Sequence, residues 1–182
     1  MAVQAMITRP DHDMTMHYLH EFGKLAISTM EGHGMRVIDL ENGKATMENL
    51  ESYDRNNRIE FMVLNGHGAA DAVAGHNNLP VILEGKNDAL LSSKITYAIS
   101  CSSARSLGRK SVEHGAIAYV GYDEEFAFLF DNNNMTNPLE DKMAKAFLDH
   151  STVFITSISK GNTVGEAYEK AKDSLRKGSA KS

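Results

Sequence analysis

The chain has 182 residues, a hydrophobic share of 42%, a formal net charge of −5 and a single cysteine. That length and hydrophobic share fit one domain with a real core and exclude a disordered polymer. The acidic balance argues against a general nucleic-acid binder, and no apolar run approaches the roughly 20 residues of a membrane span.

In chain order, "AVQAMIT" is a short apolar run closed by Pro10. The segment "MTMHYLHEFGKLAISTMEGHG" has helical spacing, with Met16, Leu19, Phe22 and Leu25 among its apolar positions, and its terminal glycines read as a helix stop. "MRVIDL" is a second apolar run, and "KATMENLESYDRN" can form a helix with Met47, Leu50 and Tyr53 on one side. "RIEFMVLN" is a strand with a strongly apolar centre, "GKNDALLSSK" a short helix candidate, and "ITYAIS" another strand. "SARSLGRKSVEHG" reads as a helix closed by Gly115, and "AIAYVGYD" as a fifth strand. "STVFITSIS" is rich in β-branched residues, yet it runs on from the helical "LEDKMAKAFLDH", and a continued helix is expected. A last helix is expected from Val164 to about Lys177. The domain is taken as residues 1–176, with a flexible tail over 177–182.

Strands that read as continuous apolar runs are buried on both faces. Five of them, with helical segments between most, predict a three-layer α/β/α sandwich with a mainly parallel sheet. One cysteine cannot form an internal disulfide, and "MAVQAMITRPDHD" lacks the basic start and long apolar core of a secretion signal, so a reducing, cytoplasmic compartment is expected. The eight histidines are scattered without HExxH spacing, and no metal or other cofactor is expected.

Two strand tips stand out. The third strand ends in "NGHG", placing His67 between Gly66 and Gly68, and the fourth ends at Cys101. They are 101 − 67 = 34 residues apart, enough for a loop, a short helix and a return strand. Ligands of an open parallel sheet bind beyond the carboxyl ends of its strands. Neighbouring strands lie about 4.8 Å apart, so side chains at adjacent tips can meet. A cysteine and a histidine so placed can act as nucleophile and proton carrier. The Gly68 N–H and the Cys101 N–H are candidate oxyanion donors. "SSARSLGRK" after the cysteine reads as a helix start capped by Ser102 or Ser103, which would stabilise a thiolate. The plainer alternatives are a small core cysteine and a tight turn. Acidic residues near the same edge, Asp71, Asp123 and Glu124, are candidates for binding a basic substrate side chain. "EFAFLFDNNNMTNP" is a candidate wall of the cleft.

Strand–"NGHG", then strand–"SC", then helix–"GAIAYVGY" resembles the caspase-like cysteine peptidases, over about Ala2 to Tyr122. "TVGEAYEKAKDSL" resembles the C-terminal helix of CHAT-type domains. The chain lacks the Gln-Ala-Cys-x-Gly block of caspases proper and has a shorter His-to-Cys spacing, so the likeness is to the gingipain and CHAT branch. The resemblance implies Cys101 as nucleophile and His67 as proton donor to the leaving amine. It implies Gly68 and Cys101 N–H groups at the oxyanion, and a peptide or protein substrate cleaved after one specific side chain, without a metal. Two rival readings stay open. One is a flavodoxin-like amidotransferase, although here the candidate histidine precedes the cysteine. The other is a silent or partner-activated binding module. A free sheet edge leaves a homodimer or a regulatory partner open as well.

Overall fold

The computed structural model describes residues 2–179. The core is a five-stranded sheet made of β1 (Gln4–Arg9), β2 (Arg36–Glu41), β3 (Ile59–Asn65), β7 (Ile95–Ile99) and β8 (Ala118–Val120). Its order is β2-β1-β3-β7-β8, and every pairing is parallel. The five strands are the five apolar runs of the sequence.

A second sheet lies between β3 and β7. It is antiparallel and joins β4 (Gly68–Ala69), β5 (Ala72–Ala74) and β6 (Pro80–Leu83). The helix candidate at Gly85–Lys94 contracts to a single 3₁₀ turn, Asp88–Leu91. Its side chains Asn87 and Asp88 accept from Leu83 and Gly85 N–H, closing the loop through turn contacts instead of a helix.

The helices are α1 (Met14–Gly32), α2 (Met47–Asn56), α3 (Arg109–Glu113), α4 (Lys142–Ser159) and α5 (Val164–Ser179). Asp13 caps α1 by accepting from Met16 N–H, and Gly34 at φ +83° closes it, with Met35 N–H returning to Met30 O at 3.0 Å. "STVFITSIS" is the second half of α4, as its continuity with the preceding helix predicts. The last helix reaches Ser179, past the expected start of the tail at Lys177, and residues 180–182 lie outside the described residues.

Side chains on successive strand residues point to opposite faces. Along β3, Phe61 and Val63 enter one core with Ile7, Tyr97 and Ile99, against α1, α4 and α5. Met62 and Leu64 enter the other with Met6 and Ala98, against Leu50 of α2, Val81 and Ile82 of β6, and Leu107. The molecule is therefore a three-layer α/β/α sandwich, with the small β-sheet sharing the second outer layer. Among the described residues no helix is long and apolar enough to cross a membrane.

The site edge is set by the order of the strands. From β1 the chain goes to β2 on one side and, after α2, to β3 on the other. The carboxyl ends of β1 and β3 thus flank the point where strand order reverses, which is where open α/β sheets form a crevice. Asn65 ties the two ends together. Its N–H donates to Thr8 Oγ1 at 2.9 Å, its amide donates to Thr8 O at 2.9 Å, and Thr8 Oγ1 donates back to Asn65 O at 3.0 Å.

Candidate active site

β3 and β7 are neighbours, with Asn65 opposite Ile99, so the tips that carry His67 and Cys101 lie side by side. Gly66 N–H extends the ladder to Ile99 O at 3.3 Å. The glycines are demanded by contact. A Cβ on Gly66 would overlap Ala74 O, and one on Gly68 would overlap Cys101 O and Ser100 Oγ and fall 2.7 Å from Cys101 N. Gly68 therefore lies directly on the Cys101 backbone. Ser100 Oγ donates to His67 O at 3.2 Å and fastens the same junction.

His67 and Cys101 line one cleft of about 140 Å³ with Thr15, Met16, Leu19 and Phe128. They are not hydrogen-bonded to each other among the described residues. The thiol is directed at Phe126 O, 3.4 Å away. His67 Nε2–H donates to Asp13 Oδ2 at 2.7 Å, which leaves Nδ1 as the nitrogen for proton transfer. Burial alone would raise the Asp13 carboxyl. The Met16 N–H bond, the His67 bond and the charges of His67 and His12 outweigh it and hold the group below its ordinary range. Asp13 is the residue of the candidate site that the sequence reading missed. Its capping position before an apolar helix was legible, but its partner lies 54 residues away.

The residues after Cys101 differ from expectation. No helix starts there. Ser102 takes a left-handed φ of +57°, and a single π-helical turn, Ala104–Gly108, leads into α3. Ser102 and Ala104 N–H donate to Glu124 O at 3.1 Å and Tyr122 O at 3.0 Å. The amides expected to support a thiolate are thus taken up by the loop after β8, and neither Ser102 nor Ser103 caps a helix with its side chain. Ser103 Oγ instead donates to Ser100 O at 3.2 Å.

The acidic candidates fall outside the cleft wall. The Glu124 carboxylate pairs with Arg105 at 3.2 Å on the surface, and Asp123 meets Arg105 Nε through its carbonyl at 3.1 Å. Asp71 sits exposed in the turn between β4 and β5. What does wall the cleft is "EFAFLF": Phe126, Ala127 and Phe128 all face it. This segment is backed by rings. Phe126 lies 4.2 Å from Tyr122, and Tyr18 lies 5.9 Å from Phe128 and 5.1 Å from Phe130. Behind them Tyr122 Oη–H donates to His150 Nε2 at 2.6 Å, while His150 Nδ1 engages Phe147 O. Burial pushes His150 below its ordinary value of 6.5 and raises Tyr122, with Tyr97 and Cys101 adding to the latter.

No protein-family model matches the sequence. Nor does any curated protein match it.

Proposed function

We propose that the protein is a cysteine peptidase of the caspase-like type, using Cys101 as nucleophile and the His67–Asp13 pair as proton carrier. The observation that carries this reading is the convergence of the only thiol and an aspartate-held imidazole on one cleft, at the carboxyl edge of a parallel sheet. The thiol gives its proton to His67 and attacks the scissile carbonyl carbon. A C–S bond forms, and the carbonyl π electrons move to oxygen beside the abutting Gly68 and Cys101 backbones. The oxyanion collapses, and the C–N bond breaks as the leaving amine takes the proton from His67. Water then attacks the thioester, giving the acid and restoring the thiol. Asp13 holds the imidazole ring and faces the positive charge that forms on it.

The cleft wall of Leu19, Ile99, Phe126 and Phe128 fits an apolar substrate side chain, and carries none of the carboxylates a basic one would need. The thiol's turn toward Phe126 O also supports a resting state that substrate or a partner must open.

The test is a panel of peptide acyloxymethyl ketones with Leu, Phe, Arg, Lys or Asp at the residue before the reactive ketone, read by intact mass. The expected result is one adduct on the wild type, strongest with Leu or Phe and absent in Cys101→Ala. Hydrolysis of the matching peptide amide should fall ~100-fold or more in His67→Ala. A folded wild type that takes no probe would overturn the reading and leave a non-enzymatic binding module.

A further inference from the structure

His12 has no part in the peptidase chemistry, yet it is built into the same corner. Its side chain is only 10% exposed. Its Nδ1 is buried without a hydrogen-bond partner. Its Nε2 lies 3.0 Å from Asn78 Oδ1 and 3.6 Å from Asp13 Oδ2, the oxygen that receives His67 Nε2 at 2.7 Å. One donor atom from each of His12, Asp13 and His67 falls within 4.8 Å of the other two.

We infer that His12, Asp13 and His67 form a binding site for one zinc-class divalent cation, and that the bound ion withdraws His67 from proton transfer. Zinc takes imidazole nitrogens and carboxylate oxygens at about 2.0–2.2 Å, so tetrahedral donors stand about 3.3 Å apart. The spacings of 2.7 and 3.6 Å bracket that value, and shifts of about half an ångström meet it. Asn78 Oδ1, at 3.0 Å from His12 Nε2, is placed to supply the fourth ligand. Asn77 and Asn78 are both held at left-handed φ, +55° and +60°, and that turn presents the amide to His12.

The donor set selects the ion. Calcium and magnesium require oxygen ligands, whereas two imidazoles with a carboxylate suit zinc. The three side chains come from the β1–α1 loop and the β3 tip, which Asn65 ties together, so the site is preformed. His67 and Asp13 are each more than one-third exposed, which gives the ion an entry path.

The test is calorimetric titration of the tag-free chain with zinc chloride, with Co²⁺ and its visible ligand-field bands as a second probe. The expected result is one ion per chain. His12→Ala, Asp13→Asn and His67→Ala should each weaken binding at least ~10-fold, while Cys101→Ala binds as the wild type does. Asp13→Asn keeps a good helix cap, and His12→Gln stands in if His12→Ala does not fold as judged by circular dichroism. Absence of binding overturns the site, as does binding that Cys101→Ala abolishes and the other variants retain. The effect on His67 rests on the peptidase reading. Zinc should block ketone labelling of Cys101, and chelation should restore it; labelling indifferent to bound zinc overturns that part. Metal-free protein that never labels sinks the peptidase reading alone, because the titration does not depend on it.

Discussion

Gly68 is the residue on which the two strand tips turn. Its hydrogen-only side chain lets the β3 tip lie on the Cys101 backbone, where any Cβ would overlap Cys101 O and Ser100 Oγ. Those atoms belong to main chain and a fastened serine, so they have no flexible end to move aside. Gly68→Ala should force the tips apart. We expect a loss of ~1–3 kcal/mol in chemical denaturation, the usual cost of overpacking, together with a large drop in Cys101 labelling. Ala69, the next residue, is exposed, and Ala69→Ser should leave both unchanged. Equal effects from the two substitutions would show that the Gly68 contact is not what holds the thiol in place. The same scale explains why the acidic residues looked better in the sequence than in the fold. Being near the right edge did not decide where a flexible carboxylate would go, and Arg105, eighteen to nineteen residues before Asp123 and Glu124, claims that loop.

Among the elements, the α4 start controls the cleft wall. Asp141 is fully buried and caps α4, with Oδ1 accepting from Met143 N–H at 2.9 Å and Ala144 N–H at 3.1 Å. Oδ2 accepts from Tyr18 Oη–H of α1 and from Asp131 N–H, both at 2.7 Å. One carboxylate thus joins α1, α4 and the end of the segment that carries Phe126 and Phe128. Burial by itself would raise this carboxyl, but the Tyr18 bond and the three amides outweigh it and hold it below its ordinary 3.8. A depressed folded-state value stabilises the protein above the unfolded value, and that stabilisation is lost as pH falls through the folded one. The wild type should therefore lose stability below about pH 4, in part through this group. Asp141→Asn keeps the cap but sets an amide donor against the Tyr18 hydroxyl or the Asp131 N–H. It should be ~2–3 kcal/mol less stable at pH 7, with a shallower decline toward acid, in denaturant titrations run across pH. Parallel pH curves for the two proteins would remove Asp141 from the account.

At the scale of the whole molecule, stability rests on two apolar cores separated by the sheet. The larger core is centred on Phe154 of α4, fully buried and stacked on Tyr97 of β7 with ring centroids 4.4 Å apart. Phe154→Ala should cost ~3–5 kcal/mol, because the surrounding sheet and helices cannot close over the space left behind. For a chain of this size that is a fall in Tm of roughly 10 °C in calorimetry. A fall below about 3 °C would mean that α4 is held by its ends more than by this packing. The layering also sets where the candidate site lies. The sheet order places β1, β3 and β7 side by side, and their carboxyl ends carry Asp13, His67 and Cys101 in that sequence.

The amino-acid sequence by itself determined the five strands and four of the five helices, because apolar runs, helical spacing and terminal Gly34 are local signals that neighbours a few residues apart must satisfy. It also placed His67 and Cys101 at strand tips. The short α3 was legible only as part of a longer helix, since the chain spends Ala104–Gly108 in a π-helical turn; Gly108 in it packs against the Tyr119 ring, where a Cβ would overlap. The small sheet was not legible at all. Its strands are two, three and four residues long, one begins with Pro80, and runs that short carry no readable period. Tertiary structure alone decided that Asp13 faces His67, that His12 joins them, that the thiol turns to Phe126 O, and that Glu124 meets Arg105 on the surface. Apart from His12 beside Asp13, each of these brings together residues that are distant in the chain. Which distant residues meet depends on strand order and on the direction each loop leaves the sheet, and no local pattern encodes either.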